Sequence, residues 1–148
     1  MRLNEETQTS SQTKMIGKGL GLEISQSTPK EGAIVFGLRG ELGGGKTTFV
    51  QGFASGLGIK EKILSPTFII IRNFKLKNSN FFNFYHIDAY RLRSSKELLD
   101  LDFKNIINNP RNIVIIEWAD KIRKILPKTT VWINFKFINE SKRKIILE

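Results

Sequence analysis

The apolar residues of the chain form runs whose spacing predicts alternating strands and helices. Residues 33–38 and 113–116 are almost continuously apolar, which is typical of strands buried on both faces of a sheet. Residues 48–57 instead place apolar side chains on one face at helical spacing: Phe49, Val50, Phe53, Ala54 and Leu57. Gly56 and Gly58 are placed to end this helix. The order strand, helix, strand predicts a core of parallel strands joined by helices.

Other segments alternate apolar and polar residues, which predicts antiparallel hairpins. Residues 68–76 pair with residues 81–87 across a polar turn, and residues 131–137 pair with residues 144–147 in the same way.

Shorter helices complete the predicted elements. Residues 12–22 form a short helix that three glycines weaken. Ser94 and Glu97 have the spacing of a capping box and predict a helix start, and a later short helix ends before Pro127. Residues 1–11 are polar, and we expect them to be a disordered leader.

A phosphate-binding motif follows the first buried strand. Residues 40–47 spell G-x-x-x-x-G-K-T, with the amphipathic helix directly after them. The backbone N–H groups of Gly40, Gly43, Gly44 and Gly45 and the helix N-terminus form a cradle for an anion. Lys46 offers a charge to the β and γ phosphates, and Thr47 offers a hydroxyl to Mg²⁺. Thr48 binds the α phosphate or only occupies the first helical turn.

The motif and the element order together predict a fold class. The length of 148 residues suits one domain, which we expect over residues 12–148. It is an α/β fold, a single-domain P-loop NTPase with a mostly parallel central sheet flanked by helices, plus antiparallel hairpin strands. Its ligand is expected at the C-terminal ends of the strands.

Polar residues at the predicted strand ends are candidates for the remaining chemistry. Glu117 follows the most apolar run, where it holds Mg²⁺ or makes a structural hydrogen bond. Asp88 orients or deprotonates the attacking water, or it caps the next turn. His86 is the only histidine, and we expect a packing or hydrogen-bonding residue rather than a catalyst. Trp118 lines the nucleotide pocket or anchors the core.

Composition narrows the class of protein further. The hydrophobic share of 40% and the charged share of 26% are those of an ordinary soluble protein. The chain has no cysteine, which excludes disulfides and thiolate metal sites and fits a reducing cytoplasm. No apolar run approaches the length that a membrane-spanning helix needs, and no signal peptide is visible.

Four motifs follow one another along the chain: the phosphate loop at 40–48, Ser-Pro-Thr-Phe at 65–68, His-Ile-Asp-Ala-Tyr-Arg-Leu at 86–92 and Ile-Glu-Trp at 116–118. In this order they resemble the TsaE (YjeE) family, the P-loop ATPase of bacterial tRNA threonylcarbamoyladenosine biosynthesis. The four together are specific, and the resemblance covers residues 12–148. Ala89 and Ala119 depart mildly from the family pattern, away from the phosphate chemistry.

The resemblance implies a function. It implies an ATP hydrolase that binds ATP and Mg²⁺, is weak alone, and acts with the TsaD–TsaB heterodimer. The product of that system is N6-threonylcarbamoyladenosine next to the tRNA anticodon.

The resemblance also implies roles for individual residues. Thr47 and Glu117 become Mg²⁺ ligands, Lys46 the phosphate lysine, and Asp88 a residue needed for hydrolysis. Trp118 falls beside the nucleotide, and Thr13 approaches the base. A switch-like loop is formed by Ser65, Pro66, Thr67 and Phe68.

Other functions remain open at this stage. A small-molecule kinase needs an acceptor pocket and an Arg-rich lid, and a nucleotide-dependent binding module would show little turnover. A GTP switch would need an Asn-Lys-x-Asp run, which is absent. The net charge is +10, and residues 121–148 hold eight basic against two acidic residues. This basic C-terminal face contacts tRNA or an acidic partner, or it is an ordinary solvated surface.

Overall fold

The computed structural model describes residues 3–41, 45–64 and 70–148. These residues form seven strands: β1 Leu3–Thr7, β2 Ile34–Gly40, β3 Ile71–Lys75, β4 Asn83–Asp88, β5 Asn112–Glu117, β6 Val131–Phe137 and β7 Arg143–Leu147. They also form four α-helices: α1 Ser10–Ser25, α2 Lys46–Gly56, α3 Ser95–Leu99 and α4 Phe103–Asn108. A 3₁₀ segment covers Ala119–Ile125.

All seven strands join one sheet in the order β1-β7-β6-β2-β5-β4-β3. The inner strands β6, β2, β5 and β4 are parallel to their neighbours within this group. The outer pairs are antiparallel: β1 with β7, β7 with β6, and β3 with β4. This arrangement confirms the predicted α/β fold with a mostly parallel centre and hairpin strands at its edges. It also confirms residues 113–116 as part of a central parallel strand.

One face of the sheet is covered by α1 and α2, and its core is rich in phenylalanine. Phe36, Phe49, Phe53 and Phe84 are fully buried there, and the rings of Phe36 and Phe53 meet edge to face. The two helices cross closely at Gly17, where a Cβ atom would lie 2.3 Å from the carbonyl oxygen of Phe49. Gly17 therefore permits close helix packing. Helix α1 is longer than the predicted helix at 12–22.

The other face is covered by α3, α4 and the 3₁₀ segment. Leu98, Phe103 and Ile122 pack there against Val114 and Ile116 of β5. The predicted capping box at the start of α3 is present. The Ser94 side chain accepts a hydrogen bond from the backbone N–H of Glu97, and the Glu97 side chain accepts one from the backbone N–H of Ser94. Within the described residues, no helix combines the length and apolarity that crossing a membrane requires.

The prediction of a disordered leader over residues 1–11 is wrong for the described part of that segment. Leu3–Thr7 pairs with β7 as an edge strand, and α1 begins at Ser10. The strand is held by main-chain hydrogen bonds to β7, which polar side chains such as Glu5 and Glu6 do not hinder. Thr7 is buried, and its hydroxyl lies 2.7 Å from that of Thr13 on α1.

Candidate functional site

The phosphate-loop motif lies between the C-terminal end of β2 and the start of α2, as predicted. Gly45 is the residue before the helix and has φ +91°, a left-handed conformation that favours glycine. From there α2 runs for 11 residues, and its first N–H groups face the strand ends. Gly43 and Gly44, and the switch-like loop Ser65, Pro66, Thr67 and Phe68, lie outside the described residues.

Lys46 is a buried cation at this helix start. Its side chain is only 5% exposed, and Nζ donates hydrogen bonds to the carbonyl oxygens of Gly40 at 2.7 Å and Glu41 at 2.9 Å. The indole ring of Trp118 covers the same ammonium, with its centroid 4.1 Å from Nζ. Burial lowers the pKa of Lys46, and the charges of Glu117, Asp120 and Asp88 oppose that shift.

Thr47 and Glu117, the two residues expected to hold Mg²⁺, lie next to each other. The Thr47 hydroxyl donates a hydrogen bond of 2.8 Å to Oε1 of Glu117, which is the last residue of β5. The other carboxylate oxygen, Oε2, lies 2.6 Å from Nε2 of His86. His86 is therefore a buried hydrogen-bonding residue, as expected, but its partner was not foreseen. The signal was available, because His86 and Glu117 fall on the same face of two strands predicted to lie in one sheet.

Asp88 ends β4 directly beside Glu117, because the two residues are register partners. Its Oδ1 accepts a hydrogen bond of 3.0 Å from the backbone N–H of Tyr90, so Asp88 caps the turn after the strand. The carboxylate also lines the cavity that Lys46 and Glu117 face. Turn capping is thus established for this residue, and its place in the cavity is compatible with the second role considered for it.

Trp118 and Thr13 are both part of the cavity wall. Trp118 has φ +59°, and this left-handed backbone directs its ring toward Lys46 and to within 5.0 Å of the Tyr90 ring. Thr13 is buried on α1, and its methyl carbon would lie 3.5 Å from a Cβ built on Gly45. Both residues line the cavity, and so does Thr48 in the first turn of α2.

These side chains surround one cavity of about 630 Å³. It brings together the described candidates at the strand ends and helix starts: Thr13, Gly45, Lys46, Thr47, Thr48, Asp88, Glu117 and Trp118. Gly40 contributes through the hydrogen bond that its carbonyl oxygen accepts from Lys46. A cavity of this size suits a small ligand such as a nucleotide.

Two turns in the cavity wall were missed by the sequence reasoning. Gln8 and Thr9 come from the turn between β1 and α1, and Ser10 is the first residue of α1. Glu140 and Ser141 come from the turn between β6 and β7, and Arg143 is the first residue of β7. Because β6 runs parallel to β2, the turn after β6 opens on the same edge as the phosphate loop. The predicted C-terminal hairpin could have indicated the position of this turn. The turn before α1 could not be predicted, because residues 1–11 were expected to be disordered.

The oxygen donors of Thr47 and Glu117 suit a hard divalent cation such as Mg²⁺. Among the described residues, no group of three or more acidic, histidine or cysteine side chains is arranged for a metal ion. Mg²⁺ in nucleotide sites commonly uses one or two protein oxygens, with phosphates and waters completing its shell. The pair of donors present is consistent with that mode of binding and not with an all-protein cage.

Comparison with known proteins gives a consistent family match. The family model for "Threonylcarbamoyl adenosine biosynthesis protein TsaE" matches residues 7–145. A tRNA threonylcarbamoyladenosine biosynthesis protein TsaE from Bacillus subtilis is 35% identical over 144 residues, covering 97% of this chain and 84% of that protein. The protein of the same name from Rickettsia felis is 33% identical over 142 residues, covering 95% of this chain and 74% of its own.

A solved structure shares the whole architecture. The crystal structure of Bacillus subtilis YdiB superposes with a TM-score of 0.72 at 28% sequence identity. The superposition covers 99% of this chain and 84% of that one. The β1 edge strand and the C-terminal hairpin therefore fall within the shared fold.

Proposed function

The chain belongs to the TsaE family of tRNA threonylcarbamoyladenosine biosynthesis proteins, and on that premise we propose that it is a Mg²⁺-dependent ATPase. It acts with the TsaB–TsaD heterodimer in forming N6-threonylcarbamoyladenosine next to the anticodon of tRNAs. The P-loop fold already implies that a nucleotide binds, and the proposal adds its identity, its hydrolysis and its partners. The proposed location is the cytoplasm, with which a cysteine-free chain is compatible.

One observation carries the proposal: the three kinds of group that phosphoryl transfer needs converge in one cavity. Lys46 brings a cation held at the start of α2, and Thr47 brings a hydroxyl in the same turn. Glu117 brings a carboxylate hydrogen-bonded to that hydroxyl. Phosphoryl transfer is driven by positioning and charge stabilisation, so a preformed set of this kind is what such a site requires.

Each of these residues has a defined part in holding ATP and its metal. Lys46 exchanges its hydrogen bonds with loop carbonyls for bonds to phosphate oxygens, and Thr47 and Glu117 hold Mg²⁺. When bound, the ion neutralises charge that develops on the transferred phosphoryl group. Thr48 and the N-terminus of α2 face the remaining phosphate oxygens. Thr13 and Trp118 lie in the walls of the same cavity and enclose the rest of the nucleotide.

Hydrolysis requires that a water be oriented against the terminal phosphate, and we assign this role to Asp88. Asp88 lies opposite Glu117 on the neighbouring strand, and its carboxylate is held by the hydrogen bond from the backbone N–H of Tyr90. A carboxylate so held can orient a water without leaving the turn. Arg91 also lines the cavity and is the one candidate along residues 86–92 for stabilising transition-state charge. We expect slow turnover alone, with the partner complex completing the site.

The direct test compares turnover and binding in variants of these residues. Lys46→Ala is expected to lose ATP binding, because the phosphates lose their buried cation. Glu117→Gln keeps the size of the side chain and is expected to bind ATP in EDTA within about twofold of wild type. Its Mg²⁺-dependent turnover should fall by 10²-fold or more, on the order of the loss seen when one transition-state charge contact is removed.

The measurements are ATP affinity by calorimetry and phosphate release with and without TsaB–TsaD and tRNA. Lys104→Ala serves as the control, since Lys104 is an exposed residue of α4 on the other face of the sheet. Partner-stimulated turnover by wild type supports the ATPase. Tight ATP binding with no turnover in any mixture would support a binding module, and phosphate transfer to a metabolite by the isolated protein would support a kinase.

A further inference from the structure

His86 lies in the core of the protein and contacts the acid that is proposed to hold the metal. Its side chain has 0% exposure, and that of Glu117 is only slightly greater. The 2.6 Å between His86 Nε2 and Glu117 Oε2 is a short hydrogen bond between a ring nitrogen and a carboxylate oxygen. The function proposed above uses Glu117 but gives His86 no part.

The sheet explains how this contact forms. β4 and β5 are parallel neighbours, with His86 opposite Ile115 and Asp88 opposite Glu117. His86 is therefore level with Ile115, the residue that precedes Glu117 on the same face of the sheet. Its ring extends along the strand direction to the Glu117 carboxylate. Phe84 lies two residues before His86 on the same face of β4 and belongs to the phenylalanine-rich core. The imidazole is therefore next to closely packed side chains.

The hydrogen bonds on the carboxylate define which group donates. Oε1 accepts the Thr47 hydroxyl, and Oε2 lies 2.6 Å from Nε2 of His86. An ionised carboxylate has no hydrogen to donate, so it accepts on both oxygens. We therefore assign the ring hydrogen of His86 to Nε2. Nδ1 is then a bare acceptor, and it has no hydrogen-bond partner among the described residues. The alternative tautomer, with the hydrogen on Nδ1, would leave that N–H without an acceptor and would also lose the hydrogen bond from Nε2 to Glu117.

We propose that His86 is a positioning residue that fixes the Glu117 carboxylate, so that Oε1 stays beside the Thr47 hydroxyl for a divalent cation. This inference rests on the proposed function, because it takes Thr47 and Glu117 as the groups that hold the metal. Without the His86 donor, Oε2 is a buried charged oxygen lacking a partner, and the carboxylate rotates to find another one. Lys46, which lines the same cavity, offers one such competing donor.

The expected effect is specific to the metal. Loss of a group that orients a metal ligand typically weakens metal affinity by about 10- to 100-fold. The phosphate contacts of Lys46 and α2 do not involve His86, so nucleotide affinity without metal is expected to stay within about twofold of wild type. A residue that only filled the core would instead alter both affinities together when it was replaced.

The test uses binding of Mn²⁺ to the full-length protein with ADP, measured by electron paramagnetic resonance of the free ion. His86→Phe keeps the bulk and removes the donor, whereas His86→Gln carries an amide N–H at nearly the position of Nε2. We expect Mn²⁺ affinity to fall 10- to 100-fold in His86→Phe and to recover most of that loss in His86→Gln. Ile87→Val is the matched control, because Ile87 is buried on the opposite face of the same strand.

Each outcome separates this proposal from the one it rests on. If Glu117→Gln binds Mn²⁺ as wild type does, the metal site itself is misplaced. If Glu117→Gln loses Mn²⁺ affinity and His86→Phe does not, only the role of His86 is wrong. A parallel fall of metal-free ADP affinity in His86→Phe also overturns it. Should His86→Phe not fold, His86→Asn takes its place, because its shorter amide does not reach Oε2, and the contrast with His86→Gln stands.

Discussion

Lys46 is a buried lysine whose amino group is surrounded by polar and aromatic partners. Two loop carbonyls and an indole ring stabilise the ammonium, and three nearby carboxylates add to them. Burial nevertheless lowers its pKa from the ordinary 10.5. The charged form is therefore held at a cost in the folded protein, and a phosphate ligand relieves that cost.

This environment predicts how nucleotide binding depends on pH. A bound phosphate favours the protonated amine, so metal-free ADP should bind with uptake of a proton as pH rises toward the lowered pKa of Lys46. Affinity then falls as pH passes through that pKa, which lies below 10.5. Below it, the amine is already charged and affinity should be flat with respect to this group.

Calorimetry in buffers of different ionisation enthalpy measures this uptake between pH 7 and 10. Lys104→Ala should show the wild-type profile, since that amine lies outside the cavity. Proton uptake that stays at zero up to pH 10 would contradict the assignment. For stability the sign is also fixed: the folded pKa is below the unfolded one, so burial of Lys46 destabilises the fold below its folded pKa. That penalty is relieved as pH rises from the folded toward the unfolded value.

At the scale of elements, α1 and α2 show why helix propensity misled the sequence reasoning. Three glycines in α1 lower its intrinsic helix propensity, and so a short, weak helix was predicted at 12–22. The structure uses Gly17 at a crossing where no side chain fits against Phe49. Gly19 is different, because a Cβ added there would meet nothing within 4 Å. Tertiary packing, which a local pattern does not contain, decides the length of this helix.

The two glycines therefore give a matched pair of substitutions. Gly17→Ala should lower the free energy of unfolding by about 1–3 kcal/mol, because the new methyl group forces the helix backbones apart. Gly19→Ala should raise it by up to about 1 kcal/mol, because alanine restricts the unfolded chain and suits an exposed helix. Urea denaturation followed by circular dichroism measures both values. Equal effects of the two substitutions would show that close packing at Gly17 is not what sets the helix position.

At the scale of the whole molecule, the sequence predicts features that are encoded by a few neighbouring residues, and it does not predict features that depend on contacts between distant parts of the chain. The phosphate loop, Glu117 and the buried strands are encoded within a few residues each. The fold is confirmed, and Thr47 and Glu117 lie within hydrogen-bond distance of each other. β1 was missed because its stability comes from pairing with β7, which lies at the other end of the chain. The two cavity turns near residues 8–10 and 140–143 were missed for the same reason: only the assembled sheet brings them to the cavity at the phosphate loop.

The sheet also brings basic residues together at its C-terminal hairpin, β6–β7. Lys136 of β6 and Lys144 of β7 lie directly opposite each other, and Glu6 of β1 lies opposite Lys144. Like charges at directly opposed positions destabilise a sheet, so this pair does not contribute to folding. With a net charge of +10 on the whole chain, a polyanionic partner is the ligand that such a face would attract.

We therefore expect the double change Lys136→Gln and Lys144→Gln to weaken association with the tRNA-loaded partner complex while leaving the free energy of unfolding equal or slightly higher. Because each lost phosphate contact removes about one unit from the slope of log affinity against log salt, the slope should fall by about one to two. Lys60→Gln with Lys62→Gln is the matched control, since both lysines lie beside Gly58 and Ile59, away from the hairpin.

Titration at several salt concentrations measures the affinity of both double variants. An equal loss in the two pairs would mean that overall charge, and not this face, attracts the RNA, whereas no loss in either would assign these lysines to ordinary solvation.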